Sequence, residues 1–501
     1  MGAGYISIEM RALFIVVLVA ALAGCGGRHP GAGTDGSPST TTSAGTPAGD
    51  WTRFGYDAAR SGVAPRGIPA SRVATLKERR IALPGTVDAS PILLSGLRVH
   101  GRRHDLLVMT TTYGRTFGLD ASSGHILWRF TPSSYASVAG SAQVTTATPV
   151  ADPDRGFVYA ASPDGFVHKL RVANGEEVRS GGWPASVTRD ATHEKIASAL
   201  NLDGPWVLVT TGGYIGDAPP YQGKVVAIDR FSGRLAHVFN SLCSNRRQII
   251  VPRTCESSDS AIWARAGAVV DPFDHHVYVT TSNGPFNGST DWSDSVLELS
   301  PGAGRLLRHY TPRDQASLAA TDTDLGSTAP VLLRGVGGTP FIVQGGKDGK
   351  LRLLAVPGSF HGVQGPAGPV LGGERQIVQV VGNTDVFTAP AVLRRNGRIT
   401  VFVATGGGTG AYALRGGRLR LVWSNDTAGT SPVVAGNVLW VYDPNGALNA
   451  YRPRDGHLIR RFGAPGGHWN SPIVARGRVY LPTGTYHDHA TTGSLSIYEP
   501  R

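Results

Sequence analysis

The chain has very little cysteine and lysine, no long apolar run, and no helical periodicity. Each shortage excludes something. There are three cysteines and no Cys-x-x-Cys-His, so neither a covalently attached c-type haem nor a zinc-type Cys/His spacing is encoded. Lysine occurs six times in 501 residues, so arginine supplies nearly all of the net charge of +12. The arginines are scattered, without the aromatic-interleaved basic stripe of a nucleic-acid binder. They read as a solvated basic surface suited to an anionic cell envelope. The longest apolar run, Ala12 to Ala23, is 12 residues and too short to span a bilayer. No segment of ten or more residues shows a capped 3.6-residue period, which points to an all-β chain.

What is present is a repeat. A small residue and a proline open a short apolar run at Ser90-Pro91, Thr148-Pro149, Ala329-Pro330, Ala389-Pro390, Ser431-Pro432 and Ser471-Pro472. Ser198-Ala199 and Gly267-Ala268 stand at the corresponding places of two irregular units. The last three prolines are 42 and 40 residues apart. Alternating strands follow, as at residues 157–161 and 277–281, with turns at Asp164-Gly165, Asp348-Gly349, Asn445-Gly446 and Asp455-Gly456. A period of about 40 residues made only of strand and turn is that of a four-stranded propeller blade. The expectation is an eight-bladed β-propeller of antiparallel blades. Seven blades is the alternative if one irregular unit is an insertion. Ile81-Ala82-Leu83, ahead of the first unit, is expected to complete the last blade beside Leu495-Ser496-Ile497-Tyr498 and so remove the free sheet edges.

The chain divides into three parts. Residues 1–25 read as an export signal: Arg11, the apolar run, then Leu22-Ala23-Gly24-Cys25, which resembles a bacterial lipobox with Cys25 as the lipidated residue. Glu9 is unusual in such a signal, leaving Met1 and Met10 as rival starts. Residues 26–50 are Gly, Ser, Thr and Pro, a composition that cannot bury a core and reads as a tether. Residues 51–501 hold the propeller. The expected location is the extracytoplasmic face of the envelope, with the membrane as partner through the anchor. Cys243 and Cys255, 12 residues apart in a polar stretch, then read as a disulfide of an exported protein.

Trp51, Phe54-Gly55, Asp57, Arg60 and Gly62 resemble the N-terminal signature of exported pyrroloquinoline quinone (PQQ) repeat proteins. The Asp-x-x-Ser-Gly-x-x-x-Trp run from Asp120 to Trp128 is similar to the repeat of quinoprotein alcohol dehydrogenases. The resemblance implies PQQ and calcium on the propeller axis and oxidation of an alcohol or sugar hydroxyl. It implies that Trp263 floors the quinone, Asn283 ligates calcium, Asp324 is the catalytic base with Asp322 a close rival, and Lys347 bonds the quinone oxygens. Such residues suit the chemistry. A planar anion wants an aromatic plate and a fixed cation, calcium wants hard oxygens, and a carboxylate takes the hydroxyl proton as hydride leaves.

The sequence also departs from that family. Its adjacent Cys-Cys pair is absent. Its calcium-binding Glu is replaced by Gly216-Asp217-Ala218, where Asp217 is one position away. Each site residue has a plainer reading too: Trp263 in a core, Asn283 in the turn before Gly284-Pro285, the two aspartates bonding backbone, Lys347 at a hairpin tip. His275-His276 and His487-Asp488-His489 read first as solvated loop residues. No Ser/His/Asp arrangement reads as a hydrolase triad. Two functions stay open: a PQQ-dependent oxidoreductase, and a non-enzymatic propeller that binds envelope protein or glycan, by analogy with outer-membrane assembly lipoproteins of the same repeat.

Overall fold

The computed structural model describes residues 49–214, 218–334, 339–363, 370–484 and 489–500. Eight separate sheets follow one another along the chain. The first blade is Ile92–Val99, Arg102–Thr110, Thr116–Asp120 and Ile126–Phe130. The innermost strands of the next six blades begin at Val150, Asn201, Val269, Val331, Ala391 and Val433, and that of the last at Ile473. Each begins two or three residues after an expected opening. The two irregular units are complete blades, so the seven-bladed alternative is corrected to eight. The third is Asn201–Asp203, Trp206–Thr210, Lys224–Asp229 and Leu235–Asn240. Its opening lacks proline because Ala199 donates its N–H to the Arg265 carbonyl at 3.0 Å, a bond proline cannot make.

The ring closes as the sequence suggests. Leu76–Leu83 pairs antiparallel with Gly493–Pro500 over eight residue pairs, Ile81 facing Leu495. Residues 51–64 then cross one end of the axis. Carbonyls of Trp51, Thr52, Ala58, Ser61 and Gly62 accept N–H groups of Leu93, Ala151, Val270, Val392 and Val434, which belong to five different blades. The fully buried Arg60 guanidinium donates to the carbonyls of Phe54, Ala199 and Leu200 at 2.8, 3.2 and 2.9 Å. The N-terminal signature is therefore a plug, held by strand groups that water would otherwise have to satisfy.

Neighbouring blades are joined by two devices that explain the repeat. Hydroxyl residues at or just before the openings bond to the next blade around the ring: Thr145 and Thr146 donate to the carbonyls of Ile196 and Ala197, Ser198 to Ile262, Thr328 to Thr388, and Thr430 to Asn470. Farther out, the repeat tryptophans reach the next blade. Trp128 Nε1 donates to the Val172 carbonyl at 3.0 Å and Trp423 Nε1 to the Pro453 carbonyl at 2.9 Å. Their rings lie on Gly175 and Gly456, where a Cβ would fall 2.5 and 2.6 Å from the indole, so only glycine fits. Asp120 caps its own turn by accepting the N–H of Ser122 and Ser123.

Among the described residues helix is confined to short pieces, the longest α-helix being Gln315–Ala320. Cys243 and Cys255 form a disulfide with Cα atoms 6.2 Å apart. Asp50, expected at the end of the tether, is instead buried in the propeller, where Oδ1 accepts the Ser95 N–H at 2.7 Å and Arg155 pairs with it. Cys25 and Asp217 lie outside the described residues, as do His487 and Asp488.

Candidate functional site

The strands that carry the openings also build the axis. Counting back three positions from the second residue of each opening pair gives Asp88, Thr146, Ile196, Arg265, Ser327, Phe387, Gly429 and Trp469. Several of these meet one another from different blades. Phe387 and Trp469 stack with centroids 5.2 Å apart. Trp263, two residues before Arg265, lies 5.7 Å from Trp469 and 6.2 Å from Phe387. Three half-buried rings from three blades thus form one platform. The plug bonds these inner segments five to seven residues farther along, at Val392 and Val270, so it closes the opposite end of the axis.

At one edge of the platform stand the other expected residues. Lys347 Nζ is 5.9 Å from the Trp263 ring centroid and 2.6 Å from Asp324 Oδ2. Asp324 Oδ1 accepts the backbone N–H of Asn283 at 2.9 Å. Asp322 also accepts from Lys347, at 2.9 Å, but its side chain is 60% exposed against 4% for Asp324. Backbone fixes the pair: Lys347 N–H donates to the Asp324 carbonyl, and Ser260 N–H to the Asn283 carbonyl. The structure therefore brings Trp263, Asn283, Asp324 and Lys347 together. Asn283 is both a turn residue and a member of this cluster.

Burial raises the proton affinity of Asp324, partly offset by the Lys347 charge and the Asn283 N–H. Burial works against the Lys347 ammonium too, but the Asp324 charge and the bonds to both aspartates outweigh it, and its net shift is upward. Beneath lies Asp294, fully buried, whose Oδ1 accepts the Leu325 N–H at 3.0 Å. Burial pushes its carboxyl up to about 8, and the nearby Asp324 charge adds to the shift. Sequence reading missed Asp294, Phe387 and Trp469. The last two were signalled by an aromatic three positions before an opening proline.

Calcium fits these residues poorly. Both Asp324 oxygens are engaged, and no group of three His, Cys, Asp or Glu that could hold a metal occurs among the described residues. A planar anionic quinone fits better, since half-buried rings and a fixed cation are what it needs. His275 and His276 have local roles. His275 bonds Asp203 and His276 bonds Glu298, each at 2.7 Å. A Ser162–His168–Glu177 relay does exist, with Ser162 Oγ 2.7 Å from His168 Nε2. Ser162 is fully buried and also donates to Asp164, so the relay pins strands and offers no nucleophile.

No family model matches the chain. It is 24% identical over 262 residues to the dehydrogenase subunit of a quinone alcohol dehydrogenase of Acetobacter aceti, covering 46% of this chain and 33% of the relative. It is 26% identical over 305 residues to the quinohemoprotein alcohol dehydrogenase ADH IIB of Pseudomonas putida, covering 54% and 41%. The matched part is therefore under half the length of these relatives. Among solved structures, the quinohemoprotein alcohol dehydrogenase of Comamonas testosteroni superposes with a TM-score of 0.65 at 16% identity, covering 90% of this chain and 80% of that one. BamB of Moraxella catarrhalis superposes with a TM-score of 0.51 at 13% identity, covering 85% and 99%. In repeat sequence and in fold, the chain is an eight-bladed, quinoprotein-like propeller of the PQQ-repeat type.

Proposed function

We propose that the chain is a quinoprotein-type oxidoreductase that removes hydride and proton from an alcohol or sugar hydroxyl at the open end of its axis. The observation that carries this reading is the buried Asp324–Lys347 pair beside the Trp263 platform. Trp263 and its ring neighbours would hold the flat face of a quinone, and Lys347 would hold its oxygens. When bound, such a group supplies the two-electron acceptor. The chain's own part is the proton. Asp324 Oδ2 faces the site, its proton affinity is raised by burial, and Lys347 keeps it ionised enough to accept a hydroxyl proton. The Asn283 N–H fixes the other oxygen and so aims the carboxylate. No step is assigned to calcium.

The test is addition of PQQ, with and without calcium, to purified protein. Quenching of tryptophan fluorescence and a raised melting temperature are expected. Ligand at 100 times its dissociation constant adds about 2.7 kcal/mol. Dye-linked alcohol oxidation should follow and should be lost in Asp324→Asn. Absence of any shift at saturating PQQ would remove the enzyme reading. The second reading, a binding scaffold for envelope protein or glycan, is favoured by the engaged oxygens of Asp324 and the poor calcium set, and cross-linking in the native envelope would identify its partner. Under either reading we place the chain outside the cytoplasm, anchored through Cys25. A Cys25→Ser chain that stays with membranes would defeat that placement.

A further inference from the structure

The end of the axis away from the platform carries charge and apolar surface that the oxidation reading does not use. In each blade the innermost strand runs toward the plug. The turn after it, and the turn between the two outer strands, therefore both lie on the plug face. In blade six these turns are Arg395-Asn396-Gly397-Arg398 and Arg415-Gly416-Gly417-Arg418, and all four arginines are exposed. Between Asp385 and Asp426 the chain has six arginines and no carboxylate. None of the four turn arginines forms an ion pair with a described residue. Blade eight differs: its Arg476 and Arg478 on this face are paired with Asp105 and Glu499.

The same face exposes phenylalanine. Phe273, in the turn after the innermost strand of blade four, is 74% exposed, and Phe231, in the outer turn of blade three, is 64% exposed. They are the two most exposed large apolar side chains among the described residues. Nothing in a turn backbone asks for phenylalanine; Gly, Asn, Asp and Ser serve it better. Arg230 and Arg334 lie 4.3 and 5.4 Å from the centres of these rings. Both are already paired, Arg230 with Asp154 and Arg334 with Asp271 and Asp274. They steady the rings and leave the unbalanced charge to blade six. The Arg334 carbonyl also accepts from Arg394 Nε at 3.0 Å, which ties the Phe273 turn to the basic ones. The described chain begins on this face as well, with Gly49 lying against the side chains of Arg476 and Ser95.

We propose that the plug face docks on an anionic phospholipid surface. The blade-six arginines meet the headgroups, and Phe231 and Phe273 enter the boundary between headgroups and acyl chains. Unpaired charge spread over protruding turns suits a surface of many phosphates, where each basic group adds its own increment. Exposed aromatic tips favour lipid over glycan, which offers no apolar phase to receive them. The proposal takes only orientation from the Cys25 reading. A chain that leaves the propeller at Gly49 draws this face toward the membrane and leaves the platform open to solutes.

The experiment is co-sedimentation of the unlipidated full chain, as Cys25→Ser, with two kinds of vesicle. One is phosphatidylcholine alone; the other is phosphatidylcholine with an equal part of phosphatidylglycerol. Any contribution of the apolar run at residues 12–23 is common to both. Tighter binding to the mixed vesicles, released by salt, is expected. Changing Arg395, Arg398, Arg415 and Arg418 together to Gln should weaken it by about a hundredfold or more, at about fivefold per charge. Lys at all four positions should keep it. Phe231→Ser with Phe273→Ser should weaken binding by about tenfold and leave its salt dependence unchanged. Arg189→Gln with Arg313→Gln, two exposed charges that follow outermost strands at the platform end, should change it by about twofold at most. Equal binding to the two vesicles, native-like binding without the blade-six arginines, or as large a loss in the platform-end variant would overturn the proposal. Binding of polyglutamate with none to vesicles would overturn it too and assign the face to an acidic protein partner. Because the lipid contact is released by salt, membranes holding the Cys25→Ser chain are washed at high salt before the anchor is judged. The response to PQQ is read separately, since no variant here changes Trp263, Asp324 or Lys347.

Discussion

Lys347 Nζ stands 2.6 Å from Asp324 Oδ2, and that contact decides which of two neighbouring aspartates the site can use. Asp322 reaches the same ammonium but is open to solvent. Asp324 is enclosed, aimed by the Asn283 N–H and placed beside the Trp263 platform. Under the proposed reading, chemistry at this end of the axis would turn on one carboxylate and one ammonium.

Lys347→Met should separate the two roles. Lys347 lowers the proton affinity of Asp324 against the effect of burial, so its removal leaves burial opposed only by the Asn283 N–H. The acid limb of any alcohol oxidation should move to higher pH, and PQQ should bind more weakly. Asp324→Asn should keep PQQ binding while lowering turnover by about a hundredfold or more, the usual worth of a general base. Equal PQQ affinity in Lys347→Met and the native chain would remove the cation's assigned role.

Asp294 should make stability depend on pH. Its carboxyl is held at about 8 in the folded chain against an ordinary 3.8. Between those values the folded state binds more protons than the unfolded one, so stability falls as pH rises from about 4 to about 8 and then levels off. Asp294→Asn keeps an acceptor for the Leu325 N–H and removes the ionisation. Denaturant midpoints at pH 5 and pH 9 should therefore differ less in the variant. The flattening should be on the order of a few kcal/mol. An unchanged slope would mean that this carboxyl does not titrate there.

The disulfide should be complete in exported protein. Thiol labelling of denatured, unreduced chain should modify neither Cys243 nor Cys255. Replacing both by serine should cost about 3 kcal/mol on the chain-entropy estimate for a short loop. Labelling of both cysteines would count against the bridge.

Arg60→Ala should weaken closure of the ring. It leaves the carbonyls of Phe54, Ala199 and Leu200 without their buried donor. The expected loss is about 3 kcal/mol or more, with partial recovery in Arg60→Lys because an ammonium cannot reproduce the planar fork. Limited proteolysis should then find cleavage near residues 51–64. Native-like resistance would show that the plug is held by its backbone bonds alone.

The sequence by itself determined the architecture. Blade openings, turn residues and the closing strand are local signals repeated eight times, and each propeller blade packs mainly on its neighbours, so the period alone names the fold. That the segment of Ile81 joins the blade of Leu495 was legible because closure removes both edges, while the register came from the structure. Trp263, Asn283, Asp324 and Lys347 were legible as a set only through resemblance, since nothing local says that residues more than 80 positions apart in the chain will meet. The tertiary structure decided the rest. It buried Asp324, left Asp322 exposed, and drew Phe387 and Trp469 onto Trp263. It also brought Asp88, Arg265 and His468 from three blades into one contact. Charge balance and desolvation at an axis are sums over distant segments, and a sequence carries no distance until the ring has closed.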